Sequence, residues 1–153
     1  MPQAQDENKQ LLNILKGVDF FEKLKIGQLE ELIKKIKRSS FSKGETIIRE
    51  GERGDSFFMI SKGRVSVWHK QSLFKKDIFL TEEGPGEFFG EMALVNQSAR
   101  SATVVAEAPC DCYVLYSKDF REILMNNPDI SEKIEKALRR RLARSAKRRS
   151  ENI

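Results

Sequence analysis

The hydrophobic period of this chain changes twice, and those two changes constrain the fold more than any figure of composition. Asn8 to Lys16 and Gln28 to Lys37 carry apolar residues at helical spacing: Leu11, Leu12 and Leu15, then Leu29, Leu32, Ile33 and Ile36. Between them VDFFEKLKIG reads as a turn whose Phe20 and Phe21 plug onto the domain. From about Arg38 the pattern becomes alternating, in short β-branched and aromatic runs broken by glycine turns: ETIIRE, GERGD, SFFMIS, KG, RVSVWHK. SLFKKDIFL continues it, EEGPGE turns, and SATVVA and CDCYVLY supply later strands. Helical spacing returns at Lys118, with Phe120, Ile123 and Leu124 on one face, and Asn126-Asn127-Pro128 stops it. Asp129 or Ser131 is placed to cap a last helix bearing Ile134, Leu138 and Leu142, and its apolar stripe fails beyond Ala146, where fraying is expected. Six to eight short strands between helical segments predict an α+β fold: an antiparallel β-roll or jelly-roll barrel flanked by N-terminal and C-terminal helices.

At 153 residues the chain has room for one domain with a substantial core. Its parts are a helical segment over 1–37, a β-roll over 38–117 and C-terminal helices with a basic tail over 118–153. The opening MPQAQDENKQ is polar, and no run approaches the roughly 18 apolar residues of a membrane span. These features predict a soluble, cytoplasmic protein without membrane insertion. Cys110 and Cys112 would point to one face of a strand, where a disulfide between them would be badly strained, so they read as small buried hydrophobes. A single histidine, His69, is too few for a zinc site. The net charge of +5 is unevenly placed: Ser131 to Ile153 holds nine Lys/Arg against three Asp/Glu, leaving nineteen against twenty before it. Such a tail either touches an acidic partner or forms a solvated helix face.

Chemistry concentrates in GEMALVNQSARSATV, Gly90 to Val104. Gly90 permits close backbone approach, and EMALV can make one helical turn whose N–H groups attract an anion. Arg100, at the end of a short polar loop, offers a planar fork suited to phosphate or carboxylate. Glu91 would repel that anion, so it is suited to accepting from hydroxyls. A phosphate beside a free hydroxyl describes a ribose phosphate; the competing arrangement is a surface salt bridge between Glu91 and Arg100.

The stretch FFGEMALVNQSARSATVVA resembles the phosphate-binding cassette of cyclic nucleotide-binding domains, F-G-E-x-A-L, a short loop, then R-x-A-x-V. Phe89, Gly90, Glu91, Ala93, Leu94, Arg100, Ala102 and Val104 match it, and KGETIIREGERGDSFFMISKGRVSVW resembles the strand and turn pattern upstream. The resemblance implies that Arg100 binds the cyclic phosphate and that Glu91 accepts from the ribose 2′-OH, which excludes deoxy-nucleotides. It implies backbone contacts from Gly90 and Ala93, with Met92 and Ala102 in the same phosphate and ribose site and Ser101 near phosphate and base. For the base, Ile78, Leu80 and Phe89 are candidates on the roll, and Leu138, Arg141, Leu142 and Ser145 on the last helix. Arg100-Ser101 is similar to the bacterial catabolite activator family, which favours cAMP; the Ser101 hydroxyl leaves cGMP open. NNPDISEKIEKALRRRLARSAKRR resembles that activator's long helix as well, and the regulatory subunit of cAMP-dependent protein kinase is a further likeness.

The resemblance makes the chain a regulatory sensor module rather than an enzyme, moving its C-terminal helices when cyclic nucleotide binds. Two alternatives are a cGMP-selective sensor and the sensing part of a transcription regulator lacking its DNA-binding domain. No such domain is readable here, which argues against sequence-specific DNA binding by this chain. The effector domain or partner protein is not written in the sequence, and a homodimer through the C-terminal helix stays open.

Overall fold

The computed structural model describes residues 2–71, 75–94 and 99–152, with side chains over the same span except those of residues 2–7, 130, 142 and 144–152. Helix α1 (Pro2–Lys16) and helix α2 (Ile26–Lys35) flank a 3-10 turn, Asp19–Phe21. Eight strands follow: β1 (Lys37–Phe41), β2 (Thr46–Ile48), β3 (Ser56–Lys62), β4 (Val65–His69), β5 (Ile78–Glu83), β6 (Phe88–Phe89), β7 (Thr103–Ala106) and β8 (Cys110–Tyr116). A second 3-10 turn, Glu91–Leu94, lies between β6 and β7, and α3 (Ser117–Asn126) and α4 (Pro128–Asn152) complete the chain.

The strands form two antiparallel sheets, ordered β1-β8-β3-β6 and β2-β7-β4-β5. They make the expected β-roll, as two facing sheets that do not close into one barrel among the described residues. Two strands bury side chains on both of their faces. In β3, Phe58 and Ile60 face the other sheet while Phe57 and Met59 face the helices. In β8, Cys110, Cys112 and Val114 point between the sheets, and Tyr113 and Leu115 point to the helices. Both faces of this sheet's centre are therefore covered, giving two cores that share a wall.

Phe20 and Phe21 are buried in the helix-side core, as their apolar turn predicts, and meet Phe57 edge-on at 5.6 and 6.0 Å between ring centroids. Leu11, Leu15, Leu29 and Leu32 join them from α1 and α2, Phe120 and Ile123 from α3, and Ile134 and Leu138 from α4. The Gln28 side chain accepts from the Lys25 N–H at 2.8 Å and donates to Asn127 Oδ1 at 2.8 Å, pinning the start of α2 to the end of α3. Asn127 in turn donates to the Ile123 carbonyl.

Helix α4 departs from expectation at both ends. It starts at Pro128, whose fixed φ suits a first helical position, so Asp129 lies inside its first turn and the Ser131 hydroxyl donates back to the Pro128 carbonyl at 3.4 Å. Neither Asp129 nor Ser131 is the cap. Beyond Ala146 the helix does not fray but continues to Asn152, consistent with the high helix propensity of its Lys and Arg residues.

Candidate functional site

Arg100 is set just before β7, and its backbone is gripped by the GERGD turn: its N–H donates to the Glu52 carbonyl at 2.6 Å and its carbonyl accepts from Gly51 N at 2.9 Å. An Arg53–Ala99 bridge extends the same pairing. The guanidinium turns inward and is 9% exposed. Its Nη2 donates to the Ser56 carbonyl at 2.9 Å and the Ser56 hydroxyl at 3.1 Å, and Nη1 donates to the Gly90 carbonyl at 3.4 Å. Burial pushes the Arg100 pKa down from its ordinary value, and the nearby charges of Asp55 and Glu52 oppose that push.

Two glycines make the room. A Cβ on Gly54 would lie 3.0 Å from Arg100 Cζ, Nε and Nη1, and one on Gly90 would lie 2.9 Å from Nη1 and 3.2 Å from the Ser56 carbonyl. Gly90 also has φ +80°, a left-handed conformation that a side chain would strain. The guanidinium therefore lies flat on backbone from two elements, its plane fixed before any ligand arrives.

Glu91 opens the 3-10 turn that follows. It and Arg100 do not answer each other; they take different partners. Glu91 Oε1 is 3.8 Å from Nε of Arg141, on α4. Arg141 reaches Asp19 Oδ2 with Nη1 at 3.3 Å and stacks with Cζ 4.2 Å from the Phe88 ring centroid. Helix α4 thus touches the Glu91 carboxylate through one side chain. Glu83, at the end of β5, belongs to the same neighbourhood: burial raises its pKa first, then the charges of Glu91 and Glu87, with Arg141 opposing, to about 8.

The other expected site residues fall into groups. Met92 and Ser101 are half-buried, while Ala93 and Ala102 are buried. The Ala93 N–H donates to the Gly90 carbonyl at 3.2 Å, inside the turn. Ile78 and Leu80 are half-buried, alternating with exposed Phe79, which packs on Trp68 on the outer face. Phe89 stacks on Phe58 within the inter-sheet core at 5.0 Å, and Leu138 is buried in the helix-side core. The side chains of Leu142 and Ser145 lie outside the described residues, as do residues 95–98. Sequence reasoning passed over Ser56, Gly54 and Glu83. The GERGDS turn was the available signal for the first two, a second glycine two positions before a hydroxyl; Glu83 carried none, being one of two adjacent glutamates.

A family model for the cyclic nucleotide-binding domain matches residues 38–127, which takes in both sheets, Arg100 and Glu91. The chain belongs to that family. As a cyclic nucleotide-binding domain it is a regulatory module and not a catalytic domain. It is 33% identical over 123 residues to a cGMP-dependent protein kinase of Drosophila melanogaster, isozyme 2 forms cD5/T2, covering 79% of this chain and 13% of the kinase. A solved structure described as cAMP bound PfPKA-R (141-441) superposes with a TM-score of 0.74 at 28% identity, over 77% of this chain and 42% of the other. The catabolite activator protein of Thermus thermophilus superposes with a TM-score of 0.70 at 25% identity, over 84% of this chain and 60% of that one. The chain spans between 11% and 34% of the length of the curated relatives it matches. Among the described residues no helix is long and apolar enough to cross a membrane.

Proposed function

We propose that this domain is a cAMP sensor in which Arg100 holds the cyclic phosphate, Glu91 accepts from the ribose 2′-OH, and ligand binding releases α4. The observation that carries it is the buried Arg100 guanidinium, immobilised on the Ser56 and Gly90 carbonyls. A buried arginine fork fixed on neutral acceptors still carries its full positive charge, and a phosphate is the partner its geometry suits. Gly90, Met92, Ala93, Ser101 and Ala102 surround it as the phosphate and ribose site, with Ile78 and Leu80 as an apolar wall for the base. Phe89 and Leu138 support that pocket from the cores, and Arg141, Leu142 and Ser145, the other candidates for the base, belong to α4. The three sequence parts, 1–37, 38–117 and 118–153, act as one domain.

Transmission follows from the Glu91–Arg141 contact. A ribose hydroxyl and Arg141 compete for one carboxylate, so ligand weakens the hold on α4 and biases a two-state helix arrangement. Leu94, buried in the helix-side core and carried on the same 3-10 turn, moves with it. An effector domain or partner chain, or a second copy meeting at α4, reads that movement.

The Arg100-Ser101 pair and the cAMP-bound neighbour favour cAMP. The likeness to a cGMP-dependent kinase supports a second reading, a cGMP sensor using the Ser101 hydroxyl. Competition among cAMP, cGMP and 2′-deoxy-cAMP for the purified protein tests both. The expected order is cAMP first, with the deoxy analogue losing in the wild type and that loss shrinking in Glu91→Gln. Tighter binding of cGMP favours the second reading, and no binding of either nucleotide rejects both.

A further inference from the structure

The guanidinium of Arg141 stands between two carboxylates that hold it unequally. At Asp19 it makes hydrogen bonds: Nη1 donates to Oδ1 at 3.4 Å and to Oδ2 at 3.3 Å. At Glu91 only Nε approaches, 3.8 Å from Oε1, a distance that leaves an ion pair without a hydrogen bond. That Nε is buried and has no hydrogen-bond partner. A charged donor left open beside a carboxylate is costly, so the guanidinium must be restrained from closing the remaining gap. Two contacts supply the restraint: the Asp19 carboxylate, and the Phe88 ring, whose centroid is 4.2 Å from Cζ. Both are themselves fixed. The Phe20 N–H donates to Asp19 Oδ1 at 2.9 Å, which orients the carboxylate, and Phe20 is buried and meets Phe88 edge-on at 5.6 Å. Asp19 and Arg141 lie on either side of the 38–127 span that matches the family, so the restraint comes from the flanking segments and not from the cassette.

We propose that Asp19 is a positioning residue for the ligand site: by bonding Arg141 it holds the guanidinium off Glu91 and keeps that carboxylate open to a ribose hydroxyl. This deepens the ribose contact proposed above for Glu91 and rests on it. Once the Asp19 charge is gone, the guanidinium closes on Glu91, and an incoming hydroxyl has to displace a hydrogen-bonded ion pair instead of a loose one. Glu83 does not take the place of Asp19, because burial raises its pKa to about 8 and keeps it mostly neutral at pH 7. Asp19 and Arg141 are both partly exposed, so the effect is modest, about two- to fivefold in affinity. A nucleotide without the 2′-OH makes no demand on Glu91 and is indifferent to Asp19.

Competition binding to the full chain at pH 7, with cAMP and 2′-deoxy-cAMP as probes, tests this on wild type, Asp19→Asn, Arg141→Gln and the double variant. Asparagine keeps an oxygen for the Phe20 N–H and removes only the charge. Asp19→Asn is expected to lose about two- to fivefold in affinity for cAMP and nothing for the deoxy nucleotide, so that discrimination between the two shrinks. In the Arg141→Gln background the same substitution should change neither affinity. Equal losses for both nucleotides, which a disturbed turn would give, overturn the proposal, and so does a loss that persists without Arg141. Discrimination that is present in wild type and intact in Asp19→Asn removes the role of Asp19 alone. A wild type that binds neither nucleotide, or both equally, rejects the ribose contact of Glu91 and the proposal with it.

Discussion

Arg100 shows how a single residue can be placed by what its neighbours lack. Its guanidinium occupies space that Gly54 and Gly90 leave open, so Gly90→Ala has two faults: a Cβ 2.9 Å from Nη1 and a left-handed φ. We expect Gly90→Ala to lose about 1–2 kcal/mol of stability in urea unfolding from the backbone alone, and to lower nucleotide affinity by displacing the fork. Wild-type affinity in that variant would contradict the placement of Arg100. Glu83 gives a second prediction. Its folded pKa, about 8, lies above its ordinary 4.5, so between these values the unfolded chain has lost the proton and the folded one keeps it. The stability it contributes is full below about pH 4.5 and is lost as pH rises through about 8. Thermal unfolding from pH 5 to pH 9 should therefore fall less steeply in Glu83→Gln than in the wild type. Arg100 and Glu91 could be singled out in the sequence because both lie in one fifteen-residue stretch. Ser56 was not, because it is 44 positions from Arg100 and meets it only once β3 is folded.

At the scale of elements, α4 is the helix through which the proposed signal would pass. Ile134 and Leu138 bury one stripe of the helix in the helix-side core, and Arg141 adds a polar contact one turn further on. Leu138→Ala should destabilise the fold by roughly 2–5 kcal/mol, as large-to-small changes in cores do, and should raise amide exchange along α4 before it does so in β3 or β8. Equal protection of all three would argue that α4 does not move as a unit. The helices were readable from period, as were most strands. The start of α4 was misplaced because Pro128 was read only as a stop, whereas a proline also opens a helix. The two-residue β6 was hidden in the turn and cassette, too short to show alternation.

For the whole molecule, the sheet β1-β8-β3-β6 is the shared wall of two cores, one facing the sheet β2-β7-β4-β5 and one facing the helices. SFFMIS and CDCYVLY were read as strands of the roll, yet a sequence cannot say what covers each face. The connection between β6 and β7 crosses from one core to the other: Phe89 lies between the sheets, and Leu94, five residues later, lies among the helices. On the proposed reading, a nucleotide held by Arg100 and the 90–94 turn would act on a segment anchored in both. The most direct test is calorimetric titration of cAMP into wild type and Arg100→Ala. Removing the fork should cost roughly 2–5 kcal/mol of affinity, since a buried phosphate is left without its charge partner. Binding of equal strength in both proteins would contradict a site built on Arg100.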